Sequence, residues 1–131
     1  MSIQKKKRFK KLIQPQEVMV WFILPAIRRE ITNALIYTYS VPQKEIARRF
    51  GLTEPAISQY KKGVRGDIEF EPKVMEKINE AARKIAEEEA SAPREVQRVL
   101  KFMEKNKHLC QFHKKFGVVH EGCHICDVKA E

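Results

Sequence analysis

The sequence predicts an all-α protein, and three observations carry the prediction. Apolar residues recur at intervals of three and four along successive stretches. Five of the six prolines stand at the start of such a stretch, where a missing N–H costs nothing. No segment shows a convincing alternation with the period of two that a half-buried strand requires. A chain of 131 residues fits one compact domain with at most a small appendage, which excludes a large multi-domain enzyme. With 43% apolar residues it can build a core, and with 33% charged residues it is expected to be soluble.

The elements follow in order. Residues 1–14 form a basic arm containing Lys5, Lys6, Lys7 and Arg8, poor in apolar residues and expected to order only against a polyanion. Pro15 suits a first helical position, and the apolar pattern runs from Val18 through Ile27, Ile31 and Leu35 to about Tyr39. Pro25 removes the donor to residue 21 and crowds the preceding turn, so two helices are expected, near 16–23 and 25–39. Gln43 to Phe50 forms a short helix ended by Gly51, placed for a left-handed turn. Thr53 caps the next helix, which has Glu54 and Pro55 in its first turn and runs to about Lys62. Val64 to Phe70 reads as a loop or a short extended piece. Pro72 opens a long helix to about Ala90, with Val74, Ile78, Ala81 and Ile85 on one face, and Pro93 opens a last one to about Lys107. The last helix buries Val96, Val99, Leu100 and Met103, the i, i+3, i+4, i+7 template.

The most informative stretch runs from Gln43 to Lys62. Ala47 sits where two short helices cross closely, Gly51 permits the sharp turn between them, and Ile46, Phe50, Leu52, Ile57 and Tyr60 are spaced to fill the wedge inside the pair. That pattern predicts a helix-turn-helix, with an αα-hairpin that packs against another element as the alternative, and it leaves Glu54, Pro55, Ser58, Gln59 and Lys62 on the outer face of the second helix. Short and amide side chains there reach base edges in a major groove, and lysines reach phosphates. Thr53, at the start of that helix, is counted with the DNA-facing set. Glu54 has two readings of equal weight: accepting from a cytosine amino group, or complementing its own helix dipole. The arm, Lys5 to Lys11, either tracks phosphates or a minor groove, or serves only solubility.

The stretch from about Pro15 to Gly66 resembles the Cro/repressor-like helix-turn-helix regulators of the xenobiotic-response-element kind. More narrowly, it is similar to a group of small archaeal transcriptional regulators. The pieces that carry the resemblance are Leu24-Pro25-Ala26-Ile27-Arg28, Ile46-Ala47 with Gly51, Thr53, Ala56 and Ser58-Gln59-Tyr60, and the basic turn Val64-Arg65-Gly66. The resemblance covers about half the chain and implies a sequence-specific, dimeric DNA-binding repressor or activator. It implies base reading by Glu54, Ser58 and Gln59, and phosphate contact by Lys44, Lys61, Lys62 and Arg65. Pro55 departs from the commoner small or polar residue at its position, which removes a backbone donor.

The tail reads differently. Cys110-x-x-His113 is followed after nine residues by Cys123-x-x-Cys126. Two pairs with this spacing can each wrap one side of a tetrahedral ion, and three thiolates with one imidazole make a normal zinc set. Cys110, His113, Cys123 and Cys126 are therefore the expected ligands of Zn2+, with His108, His120 and His124 as alternative fourth ligands. An iron–sulfur cluster acting as a sensor is the rival occupant, and free thiols with surface histidines and no metal are the third reading. The literal string His120-Glu121-Gly122-Cys123-His124 matches a zinc-protease motif, but that chemistry needs both histidines on one stable helix, and Gly122 interrupts the stretch. No enzymatic activity is expected, and a small zinc-dependent hydrolase ranks last among the readings.

The basic start followed by Val18 to Leu24 imitates a signal peptide, but residues 14–17 separate the two parts and Arg28-Arg29-Glu30 follows with no cleavage site. No apolar run approaches the length of a membrane span. With an odd number of cysteines, a cytoplasmic location and no membrane partner are expected. The organisation expected is a 1–14 arm, a 15–70 helix-turn-helix domain, a 71–107 helical extension and a 108–131 metal-binding tail. The extension either forms the interface of a homodimer or covers the first helices within one chain. Residues 1–66 hold 14 Lys+Arg and 4 Asp+Glu, a charge of +10, while residues 67–131 hold 12 and 13, a charge of −1. The basic half is where double-stranded DNA is expected, and a non-specific nucleic-acid-coating protein is the alternative reading.

Overall fold

The computed structural model describes residues 15–63, 68–106 and 108. Among them every regular element is helical: α1 (Pro15–Val18), a π-helical turn (Met19–Ile23), α2 (Leu24–Tyr37), α3 (Gln43–Phe50), α4 (Glu54–Lys61), α5 (Pro72–Ala86) and α6 (Ala92–Lys105). The all-α expectation holds for these residues. No helix among them is long and apolar enough to cross a membrane.

The boundary expected near Pro25 falls between Ile23 and Leu24, as a change from π-helical to α-helical winding and not as an interruption of the helical backbone. The backbone stays helical through Ile23 and Leu24, and the Leu24 N–H donates to the Met19 carbonyl, five residues back. Proline has no N–H and its ring presses on the carbonyl four residues earlier. A π turn just upstream widens the helix there, so α2 accepts Pro25 in its first turn without a break.

α2 is the centre of the molecule and packs against each of the four later helices. Ala26, Ile27, Ile31 and Leu35 are all fully buried along it, in one continuous core with Ile46, Ile57, Tyr60, Val74, Ile78, Ile85, Val99 and Met103. The apolar faces read from the sequence for α5 and α6 are thus spent inside a single chain. Of the two uses the sequence allows for them, covering the first helices is the one observed. α2 ends at Tyr37, two residues short of expectation, and Ser40 turns the chain in a left-handed conformation (φ 56°) towards α3.

α5 also ends early, at Ala86 rather than Ala90. Glu88 adopts a left-handed conformation (φ 59°), its N–H donates to Ile85, and the Glu89 N–H donates to Lys84 at 2.9 Å. These are the bonds of a Schellman stop, usually made with glycine at the position of Glu88. Ser91 starts α6, accepting from the Arg94 N–H at 3.3 Å.

Candidate nucleic-acid interface

The candidate interface is built from α3 and α4. α3 begins after the extended Pro42 and stops at Gly51, whose left-handed backbone (φ 69°, ψ 32°) lets Leu52 turn back at once and donate to the Ala47 carbonyl at 2.9 Å. Nothing crowds the α-carbon of Gly51, so its requirement is conformational rather than steric. Thr53 is extended and its hydroxyl accepts from the Ala56 N–H at 3.3 Å, the cap expected of it. Pro55 falls in the first turn of α4, where helix geometry asks no donor of it.

The wedge inside the pair is filled as the spacing requires. Ile46 and Ile57 are fully buried, Ala47, Phe50 and Tyr60 nearly so, and Leu52 is half-buried. This fixes which side of α4 faces outward. Glu54, Pro55, Lys61 and Lys62 are exposed, and Ser58 and Gln59 are half-exposed between them. Lys44 stands exposed at the start of α3. Among the described residues, none of the three lysines forms an ion pair. A 530 Å³ cleft opens between α3 and the start of α4, lined by Lys44, Arg48, Leu52 and Glu54 among others.

Two arginines missing from the sequence-based set belong to this region, and they differ. Glu45 accepts from both Arg48 and Arg49; these hydrogen bonds hold its carboxyl down at about 2 and raise the Arg48 guanidinium above its ordinary value. Arg48 remains exposed on the cleft, one turn from Lys44. Arg49 instead points inward. It donates to the Ile85 carbonyl at the end of α5, to Glu88 at 2.9 Å and to Glu45 at 3.0 Å. The i+3 and i+4 spacing from Glu45 is the available signal for the local pairs. Farther along, Arg29 of α2 donates to the Ile68 carbonyl at 3.0 Å and holds the chain beyond α4 against the body.

The remaining expected site residues, Lys5, Lys6, Lys7, Arg8 and Arg65 on the DNA side and Cys110, His113, Cys123 and Cys126 for a metal, lie outside the described residues. His108, named as an alternative ligand, is described. Its ring is buried and stacked on Phe102, with centroids 5.5 Å apart and planes 23° from parallel, and its Nδ1 lies 3.0 Å from Glu71 Oε2. No family model, curated protein or solved structure matches the chain.

Proposed function

We propose that the chain is a sequence-specific DNA-binding transcriptional regulator that inserts α4 into the major groove as the second helix of a Cro/repressor-like helix-turn-helix. The observation that carries this reading is the outer side of α4. A carboxylate, a hydroxyl and an amide (Glu54, Ser58, Gln59) are turned outward there, flanked by lysines that have no acidic partner among the described residues. Amide and hydroxyl groups match base edges, and Lys44, Lys61, Lys62 and Arg65 supply the phosphate contacts that set register. The regulator works as a homodimer, because one such helix reads too few base pairs for a specific site. A Cys/His tail that binds zinc, or else an iron–sulfur cluster, completes the proposal.

The test compares affinity for a fragment recovered by genome-wide footprinting with affinity for random DNA, at several salt concentrations. A regulator binds its own site at least a thousandfold more tightly (about 10³ or more). Equal affinities with the same salt slope would instead mark a coating protein. Sedimentation of the full chain, alone and with the fragment, tests the dimer.

A further inference from the structure

We propose that the cleft between α5 and α6 binds a small zwitterion, with Glu95 receiving its ammonium group and Lys77 its carboxylate. The site is distinct from the α3–α4 surface and independent of the DNA-binding and metal-binding readings.

One end of the cleft is set by Glu95. Its side chain is 2% exposed, although glutamate is almost never buried unless it is paired. Its place in the first turn of α6 suits a negative charge. Yet Oε2 is buried and accepts no hydrogen bond, because the Arg98 Nε, 2.9 Å away, is out of line with it. A buried carboxylate held by an ion pair without hydrogen bonds lacks the donors that offset its desolvation, and such an atom calls for an explanation. An ammonium group, compact and with three N–H donors, is the complement it lacks. Arg98 is the cover: 57% of its side chain is exposed, so it can turn outward to admit the group.

Lys77 sets the other end. Its ammonium rests over the Phe102 ring, 5.3 Å from the centroid, and it has no carboxylate partner among the described residues. Lys84, which also lines the cleft, is by contrast taken by Glu80 at 3.4 Å. A cation seated on an aromatic face is held in place while its N–H groups remain able to meet an anion.

The spacing and volume define the ligand. Phe102 stands two turns beyond Glu95 on the same face of α6, about 10 Å along the axis. A contact of about 3 Å at each end leaves about 4–5 Å between the two charges of the ligand. The cleft offers 190 Å³, the volume of about six water molecules, which suits a free small molecule and not a segment of a macromolecule. A chain of three or four carbons between ammonium and carboxylate meets both limits, and Val99 and Phe102 give it an apolar wall.

The experiment titrates the full chain with 4-aminobutyrate, butylamine and butyrate at constant ionic strength, following backbone amide signals by two-dimensional NMR. 4-Aminobutyrate is expected to shift the signals around Lys77 and Glu95 saturably, with a Kd of about 1 mM for its roughly seven heavy atoms. Butylamine should bind about tenfold more weakly, and butyrate more weakly still. Glu95→Gln should weaken 4-aminobutyrate and butylamine alike, by roughly 10–100-fold. Lys77→Met, a change at an exposed position, should bring 4-aminobutyrate down to the level of butylamine and leave butylamine unchanged. The same spectra report whether each variant keeps its fold, and the three-ligand comparison on the wild type stands without either variant. Absence of a saturable shift at 4-aminobutyrate concentrations well above that Kd overturns the site. Butyrate binding as tightly as 4-aminobutyrate, or 4-aminobutyrate binding unchanged in both folded variants, overturns the assignment of its two ends.

Discussion

The α3–α4 pair and the α5–α6 pair are both amphipathic and both packed on α2, but their outer surfaces differ in electrical character. Between Gln43 and Lys62 there are five basic residues and two acidic ones, and one of those, Glu45, is occupied by Arg48 and Arg49. Between Glu71 and Asn106 eight basic residues are interspersed with eight acidic ones, and Arg83, Lys84 and Arg98 are each paired with a neighbouring glutamate. A mixed surface projects little field beyond a Debye length, whereas a surface of one sign attracts polyanions at a distance. Position, not the number of cations, is what separates the two halves.

The strongest way to break this comparison is to remove equal charge from both sides. Changing Lys44, Lys61 and Lys62 together to Met should weaken DNA binding on the order of a hundredfold near 0.1 M salt and lower the salt slope by about 0.9 for each phosphate no longer neutralised. Changing the exposed Lys73, Lys101 and Lys105 to Met removes the same charge and should change affinity only a few-fold. Fluorescence anisotropy at several salt concentrations measures both, and equal reductions would mean that net charge alone drives binding.

Arg49 joins the two regions, so its removal should act on folding rather than on charge. Arg49→Ala breaks the bonds to the Ile85 carbonyl and Glu88 and leaves Glu88 held in its left-handed conformation without its partner. A destabilisation of about 2 kcal/mol in urea unfolding is expected, since hydrogen bonds to charged groups each contribute about 1.5–3 kcal/mol and this site is partly open to water. Arg48→Ala, one residue away and exposed, loses only a surface pair with Glu45 and should move the unfolding midpoint far less than Arg49→Ala. Thr53→Ala, which removes the cap of α4, should cost about 1 kcal/mol by the same measurement.

The smallest effect concerns acid. The folded Glu45 carboxyl, at about 2, lies below its ordinary value of 4.5, so its contribution is fully present above that value and is lost as pH falls through 4.5 towards 2. Glu45→Gln should therefore show a shallower decline in thermal midpoint over that window than wild type. Both partners are near the surface, so the difference should shrink in high salt.

Much of the core is legible in the sequence because it is periodic: the faces at Val74 to Ile85 and Val96 to Met103 are buried as their spacing requires, and Gly51 and Thr53 announce their turn and cap through local chemistry. What is not legible depends on distant or singular geometry. The end of α5 rests on Glu88 adopting a conformation that its sequence does not favour, held by an arginine 39 residues away. The approach of His108 to Glu71 spans 37 positions and leaves no periodic trace. Pro25 reads as a break because local rules treat proline as one, and the wider turn that accommodates it is a change of register no single residue type encodes.

That wider turn acts as a rotational spacer. A π turn holds one residue more than the α-helical turn it replaces, so it swings everything before it around the helix axis by about 100° relative to a regular helix. Deleting one residue between Met19 and Ile23 while replacing Pro25 with Ala would let α1 and α2 merge into a regular helix. α1 would then present a different face to the body. The number of residues in one helical turn thereby sets which face of α1 meets the rest of the fold.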